Sequence, residues 1–190
     1  MKKLKIAGLL AVAVAALMAF AATASASTTL TSPKGTAYFG TLHANTEGHA
    51  ILAPPGLPQI ECDSTAEGEV TANGTPATIA SKALTFGTSG CTNNWHVTTV
   101  APGSLTIASG GTIRSNALTV EATRFGIVCR YVTANTEIGL ITDSAKTGAT
   151  ATMHISGSIP FHNGSGLCGS GATKWTGSYK IDTPDALYVD

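Results

Sequence analysis

Charge is scarce in this chain. Only 12% of its 190 residues are Asp, Glu, Lys or Arg, in equal numbers of acid and base. No basic cluster interleaves with aromatic residues, so the electrostatic footprint of a nucleic-acid binder is missing. Aromatics are also few, at 6%, with just two Trp. Beyond Ala26 no segment keeps a 3.6-residue apolar period, which argues against long helices. No hydrophobic run after that point is long enough to cross a membrane as a helix. The G-x-S-x-G turn of a serine hydrolase does not occur, and Glu61, Glu67, Glu69, Glu121 and Glu137 sit in no recurrent acidic motif.

The start of the chain is different in kind. Lys2, Lys3 and Lys5 precede an apolar or small-residue run from Ile6 to Ala22, and Ala24-Ser25-Ala26 supplies small residues for cleavage. This is the pattern of a secretion signal over residues 1–26. Loss of the three lysines leaves a domain, Ser27–Asp190, with a net charge of about −3. No membrane span is expected after cleavage, and the expected location is extracellular or in the cell envelope.

One stretch is echoed. Cys62 to Val100 and Cys129 to Ile181 share the order Cys, Gly, Ala-Thr-Ile or Ala-Thr-Met, an apolar-x-Phe pair, Cys, Trp. The equivalences are Cys62 with Cys129, Gly68 with Gly139, Thr78 with Thr152, Phe86 with Phe161, Cys91 with Cys168, and Trp95 with Trp175. They use every Cys and Trp in the chain. Two pseudo-repeats follow, about 30–101 and 102–190. Four cysteines in an exported chain favour two disulfides. Bonds within each copy give Cys62–Cys91 and Cys129–Cys168, and bonds between copies are the alternative.

The body reads as β. Short Thr-, Val-, Ile- and Ala-rich runs are broken by Gly, Asn, Ser and Pro every eight to twelve residues or so. Met153, Ile155, Gly157, Ile159 and Phe161 alternate with polar neighbours, as do Leu118, Val120 and Ala122, and Trp175, Gly177, Tyr179 and Ile181. Copy one changes phase between Ser81 and Leu84, which calls for a bulge. The expected fold is an all-β, disulfide-stapled β-sandwich built from two pseudo-repeats, with one shared core or two abutting ones. Trp95, Trp175, Phe86 and Phe161 are its expected core aromatics, an exposed sugar-binding Trp being the alternative. Three Pro-led strands are expected, after Pro33, Pro102 and Pro184. The first, Leu30 to Leu42, could pair within its own chain or add to a neighbour's sheet edge and cause self-association.

Candidate chemistry is thin. His43, Glu47 and His49 could meet around a metal in a turn, but the spacing fits no standard site and a polar hairpin is the plainer reading. Gly164 to Gly169 matches G-x-G-x-x-G without the strand–helix context that a dinucleotide needs. Asn73-Gly74-Thr75 and Asn163-Gly164-Ser165 read as turns. No metal and no cofactor is expected.

The pattern C-x6-G-x-V, A-T-I, L-T-F, G-C and W-x-V within Cys62 to Val97 resembles the exported bacterial proteins called alkane-oxidation activators. The ending WTGSYKIDTPDALYVD and the block Cys129 to Thr142 are similar to a wider group of small secreted bacterial proteins of unassigned activity. The resemblance implies an exported, non-enzymatic accessory or surface role. Two functions are therefore expected in turn: a structural or interaction protein of the bacterial cell surface or extracellular matrix, or an exported binder of a small, apolar ligand. A well-filled core favours the first and an apolar cavity of roughly several hundred Å³ the second.

Overall fold

The computed structural model describes residues 29–147 and 150–190, so the leader expected at residues 1–26 lies outside the described residues. The strands are β1 (Leu30–Thr31), β2 (Thr41–Thr46), β3 (Ala50–Ala53), β4 (Ile60–Asn73), β5 (Ala77–Cys91), β6 (His96–Ala101), β7 (Ser104–Ile107) and β8 (Thr112–Asn116). They continue as β9 (Thr119–Arg124), β10 (Ile127–Val132), β11 (Thr136–Thr142), β12 (Thr152–Ile159), β13 (Phe161–Gly164), β14 (Thr173–Thr183) and β15 (Tyr188–Val189). The only α-helical element among the described residues is a single turn, Ser144–Thr147.

The chain is all β, but its main sheet is a closed barrel rather than the expected sandwich. Eight strands follow one another around it: β4, β5, β7, β8, β11, β12, β14 and β2, which returns to β4. Closure comes from β12, which pairs with β11 on one side and with β14 on the other, in unbroken register from Thr152↔Lys180 to Ile159↔Thr173. β3 continues the position of β2, since both pair with β4 and β14. A half-buried strand alternates identically in a sandwich and in a barrel, so period-2 patterning did not separate them.

Four wall strands run on past the barrel. The order β12-β11-β8-β7 in the wall is repeated as β13-β10-β9-β6 in a second, four-stranded sheet. The corners between them use residues suited to sharp turns. Pro102 and Gly103 separate β6 from β7; Gly103 has φ +64°, and a Cβ there would meet Asn116 O at 2.3 Å. Where β8 passes to β9 and β10 to β11, Ala117 N–H donates to Thr133 O and Thr133 N–H to Leu118 O, both at 2.9 Å. The Thr133 hydroxyl accepts from Leu118 N–H at 3.0 Å and shares a hydrogen bond with Ser115 Oγ at 3.0 Å. Both side chains are fully buried, and the corner satisfies them internally.

The phase change in β5 is a bulge. Glu67 pairs with Ala83 and Gly68 with Ser81, so Lys82 is the extra residue, and it forms an ion pair with Glu69 at 2.8 Å. Inward positions are then Ala77 and Ile79 before the bulge and Phe86 after it.

The expected strand after Pro33 is not formed. Residues 32–36 make a turn closed by Thr36 N–H to Pro33 O at 2.9 Å. Leu30 instead pairs with Val189 of its own chain, and Leu30 and Leu187 are fully buried. Asn73 holds this end: its side chain accepts from Leu30 N–H at 2.8 Å and donates to Leu30 O and Tyr38 O at 2.6 and 2.8 Å.

Disulfides join Cys62 to Cys91 and Cys129 to Cys168, each within one of the two echoed stretches. Trp95, Trp175 and Phe86 are buried, whereas Phe161 is only half-buried and packs edge-on against Tyr131 at 5.9 Å.

Candidate functional site in the barrel interior

Alternation along the wall strands aims one set of side chains into the barrel. Eight strands enclose an interior just wide enough to be filled by side chains, or to hold one small molecule where they leave room. Here the inward set mixes bulky and small residues. Leu42, Ile79, Leu105, Ile138, Ile155 and Ile181 supply bulk, while Ala44, Ala66 and Gly68 face them. The result is a cavity of about 60 Å³, measured as the room open to the centre of a water molecule. Its walls are almost wholly apolar. It is partly open, and Ser81, Leu84 and Pro102 line it where β5 parts from β7, whose pairing runs only from Ala77 to Ala80.

Two aromatic side chains of β14 also line this space, Trp175 and Tyr179. They stand four residues apart on one face and pack edge-to-face at 6.2 Å, and Trp175 meets Phe86 the same way at 6.0 Å. Such geometry directs ring edges onto ring faces and fixes the side chains in place. Tyr179 Oη donates to Ser64 Oγ at 3.0 Å. Burial pushes the Tyr179 hydroxyl up to about 12, against smaller opposing effects of Ser64 and the nearby Trp175. The Trp175 Nε1–H is buried, and the acceptor beside it is the Tyr179 hydroxyl oxygen, which donates to Ser64 and keeps its lone pairs.

The structure does not assemble the other candidates. His43 Nδ1 lies 2.7 Å from Asp182, whereas His49 Nδ1 lies 3.0 Å from Asp63, so the two histidines of the candidate metal set have separate partners. Among the described residues no group of three His, Cys, Asp or Glu could hold a metal ion. His154 Nδ1 lies 3.2 Å from Ser178 Oγ, a pair that sits on the exposed outer face of the barrel. An isolated imidazole and hydroxyl on an open sheet face have neither an orienting acid nor an oxyanion site around them. The stretch Gly164–Gly169 carries Cys168 and leads to β14, so no helix N-terminus follows it.

Sequence reasoning placed Trp175 and Tyr179 on one inward face but did not single out Tyr179 or its partner Ser64. The usable signal was small residues at inward positions of β2 and β4, where a filled barrel would carry branched ones.

Fold and site together define a disulfide-bonded, eight-stranded antiparallel barrel with an apolar interior cavity and an appended four-stranded sheet. Comparison of the chain with protein-family models, curated proteins and solved structures gives no match in any of the three.

Proposed function

We propose that this protein is an exported, non-enzymatic binder of a small apolar molecule, held inside the barrel. The observation that carries this reading is the cavity lined by Leu42, Ala44, Ala66, Ile138, Ile155 and Trp175, whose volume of about 60 Å³ is below the several hundred Å³ of a typical ligand pocket and limits the guest to a few non-hydrogen atoms. Water in such a space finds few polar partners, so an apolar guest gains by replacing it. The two disulfides are compatible with an oxidising compartment, and the expected leader at residues 1–26 supports export. The test is titration with xenon and small hydrocarbons, followed through the two Trp indole N–H resonances. Saturable shifts of one indole are expected. Flat titrations up to the solubility of each compound would overturn the reading.

A second reading, a structural or interaction protein of the cell surface or matrix, draws on a different feature. Phe125, at the tip of the β9–β10 hairpin, is 82% exposed, and Leu167 is 62% exposed. The end strands of the small sheet, β6 and β13, are the edges that self-association through an added strand would use.

A further inference from the structure

The small sheet ends in an apolar tip. Phe125 and Gly126 join β9 to β10, next to the paired residues Arg124 and Ile127. Both turn residues have positive φ, 47° and 81°, as a tight two-residue hairpin turn of this kind requires. Asn-Gly is the usual occupant of such a turn, and a bulky side chain at positive φ is strained. The Phe125 ring is also 82% exposed, so it neither suits the turn nor fills a core. Val128 and Leu167 extend the apolar surface, at 37% and 62% exposed. Their segments are held together: Ser165 N–H donates to Val128 O at 2.8 Å, Val128 N–H donates to Ser165 Oγ at 3.0 Å, and Cys129 is bonded to Cys168. One cation belongs to this tip. The Arg124 guanidinium lies 4.9 Å from the centre of the Phe125 ring and 5.9 Å from that of the buried Trp95. Among the described residues no carboxylate pairs with it, whereas Arg130 is paired with Glu121 at 2.5 Å. Arg124 is therefore the unmatched charge of the small sheet.

We infer that this tip is a contact with a lipid surface: Phe125 and Leu167 enter the acyl-chain boundary of a bilayer, and Arg124 meets anionic phosphate at its face. This rests on the second reading above, interaction at the cell surface, and not on the cavity. Position suits the role. Leu30 is tied to Asn73 at the β4–β5 turn, and β7 runs from that end, at Ile107, to its corner at Gly103, beyond which the small sheet extends. The tip thus projects at the end of the molecule away from β1. The size of the patch favours lipid over a protein partner. A stable protein interface takes roughly 20–30 residues from each side, and a hairpin turn with three apolar side chains is far short of that. A bilayer closes around a small projection, and an anionic one also attracts a lone Arg. Binding through so few side chains is weak and reversible.

Vesicle flotation tests the idea. The disulfide-bonded chain is mixed with vesicles of phosphatidylcholine alone, or of phosphatidylcholine and phosphatidylglycerol in equal parts, at up to about 5 mM lipid. It should float with both, and several-fold more with the anionic vesicles. Phe125→Asn suits the turn, so it should melt at the same temperature or higher while binding about tenfold more weakly. Arg124→Gln should bind the anionic vesicles about fivefold more weakly and the neutral ones equally. Leu140→Thr removes a 45% exposed apolar side chain from the barrel wall and should change nothing. No flotation with either vesicle, or equal flotation of Phe125→Asn and the parent, would overturn the inference. Light scattering of the same proteins without lipid separates this failure from that of the second reading. Self-association lost in Phe125→Asn, with no flotation, would overturn the lipid partner and put a second copy of the chain in its place. Neither flotation nor self-association would overturn the tip as a contact of any kind, and the second reading with it.

Discussion

Tyr179 Oη donates to Ser64 Oγ at 3.0 Å across the inside of the barrel, although β2 lies between their strands in the sheet. The bond spans 115 positions of sequence and joins the last wall strand to the β4–β5 hairpin. Ionising Tyr179 would destroy the donor and leave a phenolate in an apolar interior. Its hydroxyl is accordingly pushed up to about 12 from 10.0. The folded state therefore holds this proton more tightly than the unfolded chain does. The contribution is complete below about pH 10 and is lost as the pH rises towards 12. Over that window the parent chain should lose roughly 2–3 kcal/mol more than Tyr179→Phe does. Urea titrations at stepped alkaline pH measure this, and parallel pH profiles for the two proteins would contradict it.

That bond also marks the limit of what the residues declare by themselves. Alternation along Met153 to Phe161 picks out Ile155, Gly157 and Ile159, which are buried in the structure, and the phase slip between Ser81 and Leu84 is the bulge at Lys82. These features are local, so a period of two displays them. Barrel closure is not local. It depends on Thr152 to Ile159 meeting Lys180 to Thr173 while also facing β11, and no pattern within either strand encodes that choice. The bends at Gly103, Ala117, Thr133 and Pro160 divide the four long strands between two sheets, which a count of short β runs reads as separate strands of a sandwich. The strand expected after Pro33 fails for a turn reason: Gly35 has φ +82°, a conformation that ends extended pairing. The cavity was hidden because Ala44, Ala66 and Gly68 come from two strands and meet only after pairing.

Ala66 and Gly68 make a matched test of the cavity. They lie two residues apart on the same face of β4, and both line the space. Ala66→Val adds two carbons towards the void and should raise stability by about 1 kcal/mol. At Gly68 a Cβ would lie 2.6 Å from Ile79 Cγ2, so Gly68→Ala should be destabilising by roughly 1–3 kcal/mol. Thermal melts decide both. Two effects of the same sign would show that the side chains do not divide the space in this way.

The two tryptophans are each nearly inaccessible, at 2% for Trp95 and 4% for Trp175. Trp95→Ala and Trp175→Ala should therefore each cost roughly 3–5 kcal/mol. A loss below about 1 kcal/mol in urea unfolding would mean that the ring is exposed in solution.

The disulfides close loops with sequence separations of 29 and 39. Chain-entropy reasoning assigns each roughly 3–4 kcal/mol through the unfolded state. Peptide mapping without reductant should recover Cys62 with Cys91 and Cys129 with Cys168. Replacing one pair by Ala should lower the urea midpoint and, because the unfolded chain can then expand further, raise the slope. Recovery of a Cys62–Cys129 peptide would contradict the pairing.

The N-terminal segment offers a choice between exchange and self-pairing. If Leu30 to Leu42 served a neighbouring molecule, a chain beginning at Asn45 would fold as a monomer and the longer chain would assemble. The contacts point the other way. Leu30 is fully buried, is tied by Asn73, and pairs with Val189. Thr41 to Ala44 pair with β4 at Glu69 to Ala66, and His43 and Ala44 also pair with β14 at Thr183 and Ile181. Removing them takes away most of β2, exposes the interior beside Ala66 and Ile181, and opens the barrel wall between β4 and β14. The chain beginning at Asn45 should therefore be unfolded or aggregated, with no cooperative urea transition, while Ser27–Asp190 folds as a monomer. Size-exclusion chromatography with light scattering, alongside circular dichroism, separates the two cases. A folded, monomeric chain from Asn45 together with an oligomeric Ser27–Asp190 would establish strand exchange instead.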